Sequence, residues 1–192
     1  MFIGFNSTVT NDVKGLFGVA PAVTSVDLNA YIGYWYQMYA DPIVMDTIEK
    51  DSLCDTALYG APDADGHVSV LNTAKINKAG TDGTDYAIKG YAYVPDASKP
   101  GELKVKFDAG QGASDFAAPY WILELGPINA KNQYDYAIVS DNLSQFLFVL
   151  ARDYNEFNAK YDAQVKTTLN TLGFKGYKKP ISIYQGVDCD YK

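Results

Sequence analysis

The sequence predicts an all-β fold, an antiparallel sandwich or up-and-down barrel of eight strands with one C-terminal α-helix, and three observations predict it. Rings are abundant: 16 Tyr, 9 Phe and 2 Trp make up 14% of the 192 residues, and large rings favour pleated surfaces. Short alternating segments recur between turn signals with no helical period among them. One amphipathic stripe of helical spacing follows near the C-terminus.

Residues 1–25 carry small and polar residues and Pro without periodicity, and read as a loosely ordered N-terminal arm before a domain over 26–192. Gly33 to Tyr39 reads as a strand ended by Asp41-Pro42. Ser52 to Ala61 is a second strand, Pro62 to Gly66 a turn, and Val68 to Ile76 a third strand. A loop over Asn77 to Asp85 precedes the strand Tyr86 to Val94, and Pro95 to Gly101 turns the chain. Leu103-Lys104-Val105-Lys106-Phe107 alternates strictly, so its apolar side chains share one face and its lysines the other. Tyr120 to Leu125 follows, and then Tyr134 to Ser140 and Gln145 to Arg152 form a hairpin around Asp141-Asn142. Phe157, Tyr161, Val165, Leu169 and Leu172 line one face of a helix over 155–172, with Asn155 as N-cap and Gly173 past its end. A single stripe requires a surface to pack on, here the outside of the sheet. Ile181 to Tyr184 adds a short edge strand.

Composition excludes several functions. Net charge is −7, from 23 acidic and 16 basic residues, so no basic face is available for nucleic-acid phosphates. The longest strictly apolar run, Phe146 to Ala151, is strand-sized and far short of a membrane-spanning helix. The one histidine, His67, stands beside the Asp65-Gly66 turn, where exposure explains it better than catalysis or metal binding. Gly80-Thr81-Asp82-Gly83 lacks the lysine of a phosphate loop. No carboxylate spacing isolates a catalytic pair, so the residues point to no enzyme, no metal and no required cofactor.

Cys54 and Cys189 have no metal or redox spacing, which leaves a disulfide in an exported protein or two unrelated thiols in a cytosolic one. The sequons at Asn6 and Asn142 favour export and a glycoprotein. Met1 to Phe5 is too short for a signal-peptide core, so export requires a mature chain with an added Met, whereas a native start suits the cytosol.

Asp27 to Tyr36, with Gly33-x-Trp35 after a short helical turn, resembles the opening of the lipocalins. Cys54 to Tyr59 and Gly66 to Asn72 are similar to that family's second and third strands. Tyr136 to Val139 with Phe146 to Arg152 resemble its last hairpin and closing arginine. The resemblance covers about residues 26 to 189 and is nearest in pattern to the branch of apolipoprotein D and the bacterial and plant lipocalins. One element departs: the family's Thr-Asp-Tyr is replaced by Asn132-Gln133-Tyr134.

The resemblance implies an eight-stranded antiparallel up-and-down barrel with the helix packed outside, a Cys54–Cys189 disulfide, and a secreted protein. It also implies a floor built from Gly33, Trp35 and Arg152, the chain's only arginine, stacked on the Trp ring. Pocket positions carried over from the family, with period two, assign Gln37, Tyr39, Tyr59, Val70, Asn72, Phe107, Trp121, Phe146, Phe148 and Leu150 to the ligand. With no Lys or Arg inward, a ligand held by a buried ion pair is disfavoured. A bilin, carotenoid, retinoid, sterol or fatty acid, bound as chromophore or lipid, suits such walls. The expectation is carriage or sequestration without chemistry, in a monomer or an oligomer. The alternatives are a lipocalin enzyme of the isomerase or de-epoxidase class and a scaffold with a filled barrel.

Overall fold

Alternating strands each bury one face, and rolling the sheet into a cylinder satisfies them all while removing free edges. The structure, a computed structural model, describes residues 19–108 and 116–191. Its strands are β1 (Gly33–Ala40), β2 (Ser52–Pro62), β3 (Val68–Ile76), β4 (Thr84–Tyr93), β5 (Glu102–Phe107), β6 (Ala118–Leu125), β7 (Tyr136–Ser140) and β8 (Leu147–Ala151). They hydrogen-bond antiparallel in chain order from β2 to β8 and on to β1, which returns to β2 through Gly33↔Tyr59 to Tyr36↔Thr56 and closes the barrel. The sandwich is thereby excluded. A two-residue strand β9 (Ile181–Ser182) adds to Tyr39 and Ala40 at the other end of β1.

Antiparallel order puts the β2–β3, β4–β5 and β6–β7 turns at one end, the floor, and the β1–β2, β3–β4, β5–β6 and β7–β8 connections at the mouth. A short helix α1 (Leu28–Tyr31), capped by Asp27 on the Asn29 N–H, runs under the floor. Another, α2 (Pro42–Asp46), follows β1 at the mouth, where the buried Asp41 carboxylate accepts from the Ile43 and Val44 N–H groups and from Leu147 N–H of β8. That one side chain ties the β1–β2 connection to the last hairpin.

The C-terminal helix is continuous but not uniform: α3 (Tyr154–Glu156), a π-helical turn over Phe157–Tyr161, and α4 (Asp162–Thr171). Its N-cap is Asp153, whose carboxylate accepts from Glu156 N–H at 2.8 Å, rather than Asn155. A carboxylate three residues before a free N–H also complements the helix dipole. Gly173 takes the positive φ expected past the end. Phe157, Val165 and Leu169 are buried against Met38, Leu147, Val149 and Ala151, the outward face of β8 and β1, so the helix packs outside the barrel.

Residues 19–25, expected within the loose arm, are seated on the domain. Ala20 is buried and donates to Ser144 Oγ, and Val23 N–H donates to Ile122 O at 2.8 Å. The remainder of the arm, with the Asn6 sequon, lies outside the described residues. Cys54 and Cys189 form a buried disulfide between β2 and the C-terminal tail.

Candidate functional site

The floor is built first. Trp35, fully buried, points inward from β1 and donates its indole N–H to Tyr31 O at 2.8 Å. The Arg152 guanidinium lies 3.6 Å from the Trp35 ring centroid. Its N–H groups donate to the carbonyls of Ala30, Tyr31, Ile32, Tyr34 and Tyr134 at 2.8–3.3 Å. Each of those carbonyls belongs to the α1–β1 segment or the β6–β7 turn, so one side chain satisfies the backbone where the barrel closes. Burial lowers its pKa to about 10, which still leaves it charged at neutral pH. Gly33 has φ of 103°, and a Cβ there would stand 3.2 Å from Arg152 Nη1. The positive φ favours glycine, and a side chain would also crowd the guanidinium.

Above Trp35 sits a second layer of rings, with Tyr31 at 5.2 Å from Trp35 and Tyr59 at 5.5 Å from Tyr31. Their hydroxyls converge on Tyr120, at 2.6 and 2.8 Å. Burial pushes all three phenols up, Tyr59 to about 12. They are neutral hydrogen-bonding groups at the bottom of a cavity.

That cavity, about 660 Å³, fills the barrel from the tyrosine layer to the mouth. The structure places Gln37, Tyr59, Val70, Asn72, Phe107, Phe146, Phe148 and Leu150 on its wall, and adds Ile88, Val105 and Tyr120. Tyr39 and Trp121 are not on it. A bulge between Gln37 and Tyr39 inserts one residue in β1, which reverses the parity and turns Tyr39 outward. There its ring meets Phe157 and its hydroxyl donates to Asp162 of the helix. On β6, rings occupy two successive positions, so hydrophobicity does not distinguish the faces. Tyr120 takes the inner one, and Trp121 packs with Leu123 in the layer under the helix. Neither tryptophan touches the cavity.

Three acidic residues line the cavity, Glu49, Asp55 and Asp141, and Asp141 is engaged by the N–H groups of Leu143, Gln145 and Phe146 in its own turn. Glu49 Oε2 accepts from Gln37 Nε2 at 2.5 Å, and Asp55 Oδ2 accepts from Ser52 Oγ at 3.0 Å. Burial pushes the Glu49 carboxyl far above the usual range, reinforced by the charges of Asp55 and Asp41, and burial does the same to Asp55. Sequence parity finds no inward base, and on the lining only Lys50, exposed at the rim, is basic; the charge that parity did not weigh is acidic. Asp55 was legible, because period two from Tyr59 through Ala57 reaches it. Glu49 was not, since it lies in the β1–β2 connection, where no periodicity exists.

Outside the barrel, Asp63, Asp65 and His67 converge at the β2–β3 turn. Asp63 already accepts from the Asp65 and His67 N–H groups, which lower its pKa and account for it as a turn-former. His67 lies against the rings of Tyr91 and Tyr93. Asn142 is exposed at the mouth in the β7–β8 connection. No described helix is long and apolar enough to cross a membrane.

The Lipocalin-like domain family profile matches residues 26–179. Bovine (Bos taurus) apolipoprotein D is 31% identical over 140 residues, covering 66% of this chain and 64% of its own length, so the chain spans less than two thirds of that relative. The outer membrane lipoprotein Blc of Vibrio cholerae is 28% identical over 152 residues, 79% of this chain and 80% of its own. Among solved structures, insecticyanin from the tobacco hornworm Manduca sexta aligns with a TM-score of 0.63 at 22% identity, over 90% of this chain and 88% of that one, a likeness of fold.

Proposed function

From the premise that the chain belongs to the lipocalin family, we propose that it binds a small, largely apolar molecule in the barrel and carries or sequesters it, with export as its setting. One observation carries this reading: a cavity of about 660 Å³ walled by Ile88, Val105, Phe107, Phe146, Phe148 and Leu150 above the closed floor. A scaffold barrel would fill that space with its own side chains. Covering about 300 Å² of apolar ligand at about 25 cal/mol/Å² yields roughly 7 kcal/mol before ordering costs, enough for micromolar affinity. The buried disulfide suits an oxidising compartment.

Native mass spectrometry of protein purified from its source tests the reading by identifying retained ligand. Recovery of a chemically altered ligand would favour the enzymatic alternative. Titration with the neutral fluorophore Nile red supplies a second measure. Phe148→Asp places a charge on the wall and should weaken binding by about tenfold or more. Lys104→Asp, on the outward face of β5, should leave it nearly unchanged. Equal effects from both would put the dye on the surface and remove the carrier reading.

A further inference from the structure

The cavity is unbalanced in its polar groups, and the imbalance bears on what occupies it. Asp55 is 6% exposed and Glu49 is half-buried beside it, yet the side-chain donors they have among the described residues are neutral, Ser52 for Asp55 and Gln37 for Glu49. Neither forms an ion pair among the described residues. Among the described residues Lys50 is the one basic residue on the lining; it is exposed at the rim. The other charged groups nearby, Asp41 beside Glu49 and Asp141 on the lining, are acidic as well. A separate observation comes from β3. Asn72 Oδ1 is buried on the cavity wall and accepts no hydrogen bond. Asn72 pairs with Ala57, two residues from Asp55 along β2. Three acceptors thus line one cavity in which no described residue pairs a cation with either acid.

We propose that the occupant is a lipophilic amine, its ammonium seated at Glu49 and Asp55 within reach of Asn72 and its apolar body lying against Phe107, Phe148 and Leu150. This rests on the carrier reading and narrows it to a ligand class. An ammonium brings three donors and a positive charge beside which both carboxyls can ionise, whereas without it they resist ionisation, because a buried anion stripped of water needs a partner to be tolerated. A neutral alcohol brings one donor and no charge. A fatty acid adds a further negative charge to a site that already repels one.

Calorimetric titration with decylamine, decanol and decanoate, all below their aggregation limits at pH 7.5, tests the proposal with one apolar chain and three headgroups. The amine should bind at least about tenfold tighter than the alcohol, and decanoate weakest. In Glu49→Gln/Asp55→Asn, whose fold is checked by near-ultraviolet circular dichroism, the amine-to-alcohol ratio should collapse to about one. Asn72→Leu, which spares both carboxylates, should lower the amine affinity several-fold while preserving the order of the three compounds. Equal binding of amine and alcohol by the native protein, or a preference that survives in the double variant, overturns the amine assignment and leaves the carrier reading standing. If none of the three compounds binds, both readings fall.

Discussion

Arg152 illustrates how one side chain can hold a fold closed. Its contribution is less the ring contact, worth on the order of 1–2 kcal/mol when desolvated, than the five carbonyls it satisfies at the floor. Arg152→Ala strands those buried acceptors and should destabilise the protein by at least about 3 kcal/mol in urea denaturation. Arg152→Lys should rescue little, because a point charge cannot reproduce the planar fork. A loss under about 0.5 kcal/mol would mark a surface residue. Glu49 and Asp55 make the opposite kind of contribution. Their folded pKa values lie above the unfolded ones, so the native state holds protons that the unfolded chain has released between about pH 4 and pH 8. Stability therefore falls as pH rises through that window. Glu49→Gln/Asp55→Asn should raise Tm by about 3 °C or more at pH 8, and the gain should vanish near pH 4. A gain independent of pH would mean that these carboxyls titrate normally.

The C-terminal helix and the barrel wall share a layer separate from the cavity. Leu169 is 1% exposed between α4 and the outward residues of β8. Leu169→Ala should cost about 2–4 kcal/mol through the void it leaves, yet change Nile red affinity less than twofold, since the strand wall separates the two layers. A parallel loss of binding would show that the helix supports the pocket directly. The helix was legible from its five apolar positions, and the π-turn at Phe157–Tyr161 was not. Its one extra residue per turn comes from how Phe157 and Tyr161 settle on the barrel, with Tyr161 donating to Asp135 at 2.6 Å, and such a fit leaves no mark in the periodicity. The bulge in β1 is similar. Gln37-Met38-Tyr39 reads as plain alternation, but β8 and β9 flank this part of β1 on its two edges, and the residue inserted against β8 sends Tyr39 to the helix.

At the scale of the molecule, the Cys54–Cys189 bridge closes 135 residues and ties the tail across the strand that completes the barrel. Cys54→Ser/Cys189→Ser should cost about 2–5 kcal/mol in chemical denaturation. A negligible loss would mean that β1–β2 pairing already fixes the tail. Strand positions, the outside helix and the inward side chains of β3, β5 and β8 followed from the sequence, because burial of one face per strand writes itself as period two. So did the family, carried by Gly33, Trp35 and Arg152 in order. Three things were decided only in three dimensions. The resting places of Tyr39 and Trp121 depend on a bulge and on two adjacent rings, which a local pattern cannot rank. Closure through β1–β2, rather than a sandwich, depends on pairing between strands that patterning alone leaves open. The acidic lining of the mouth depends on a connection folding back over the barrel, so that Glu49, from an aperiodic segment, meets Asp55, from a periodic one. Alternation is set by neighbours in the chain, whereas the charge of a cavity is set by neighbours in space.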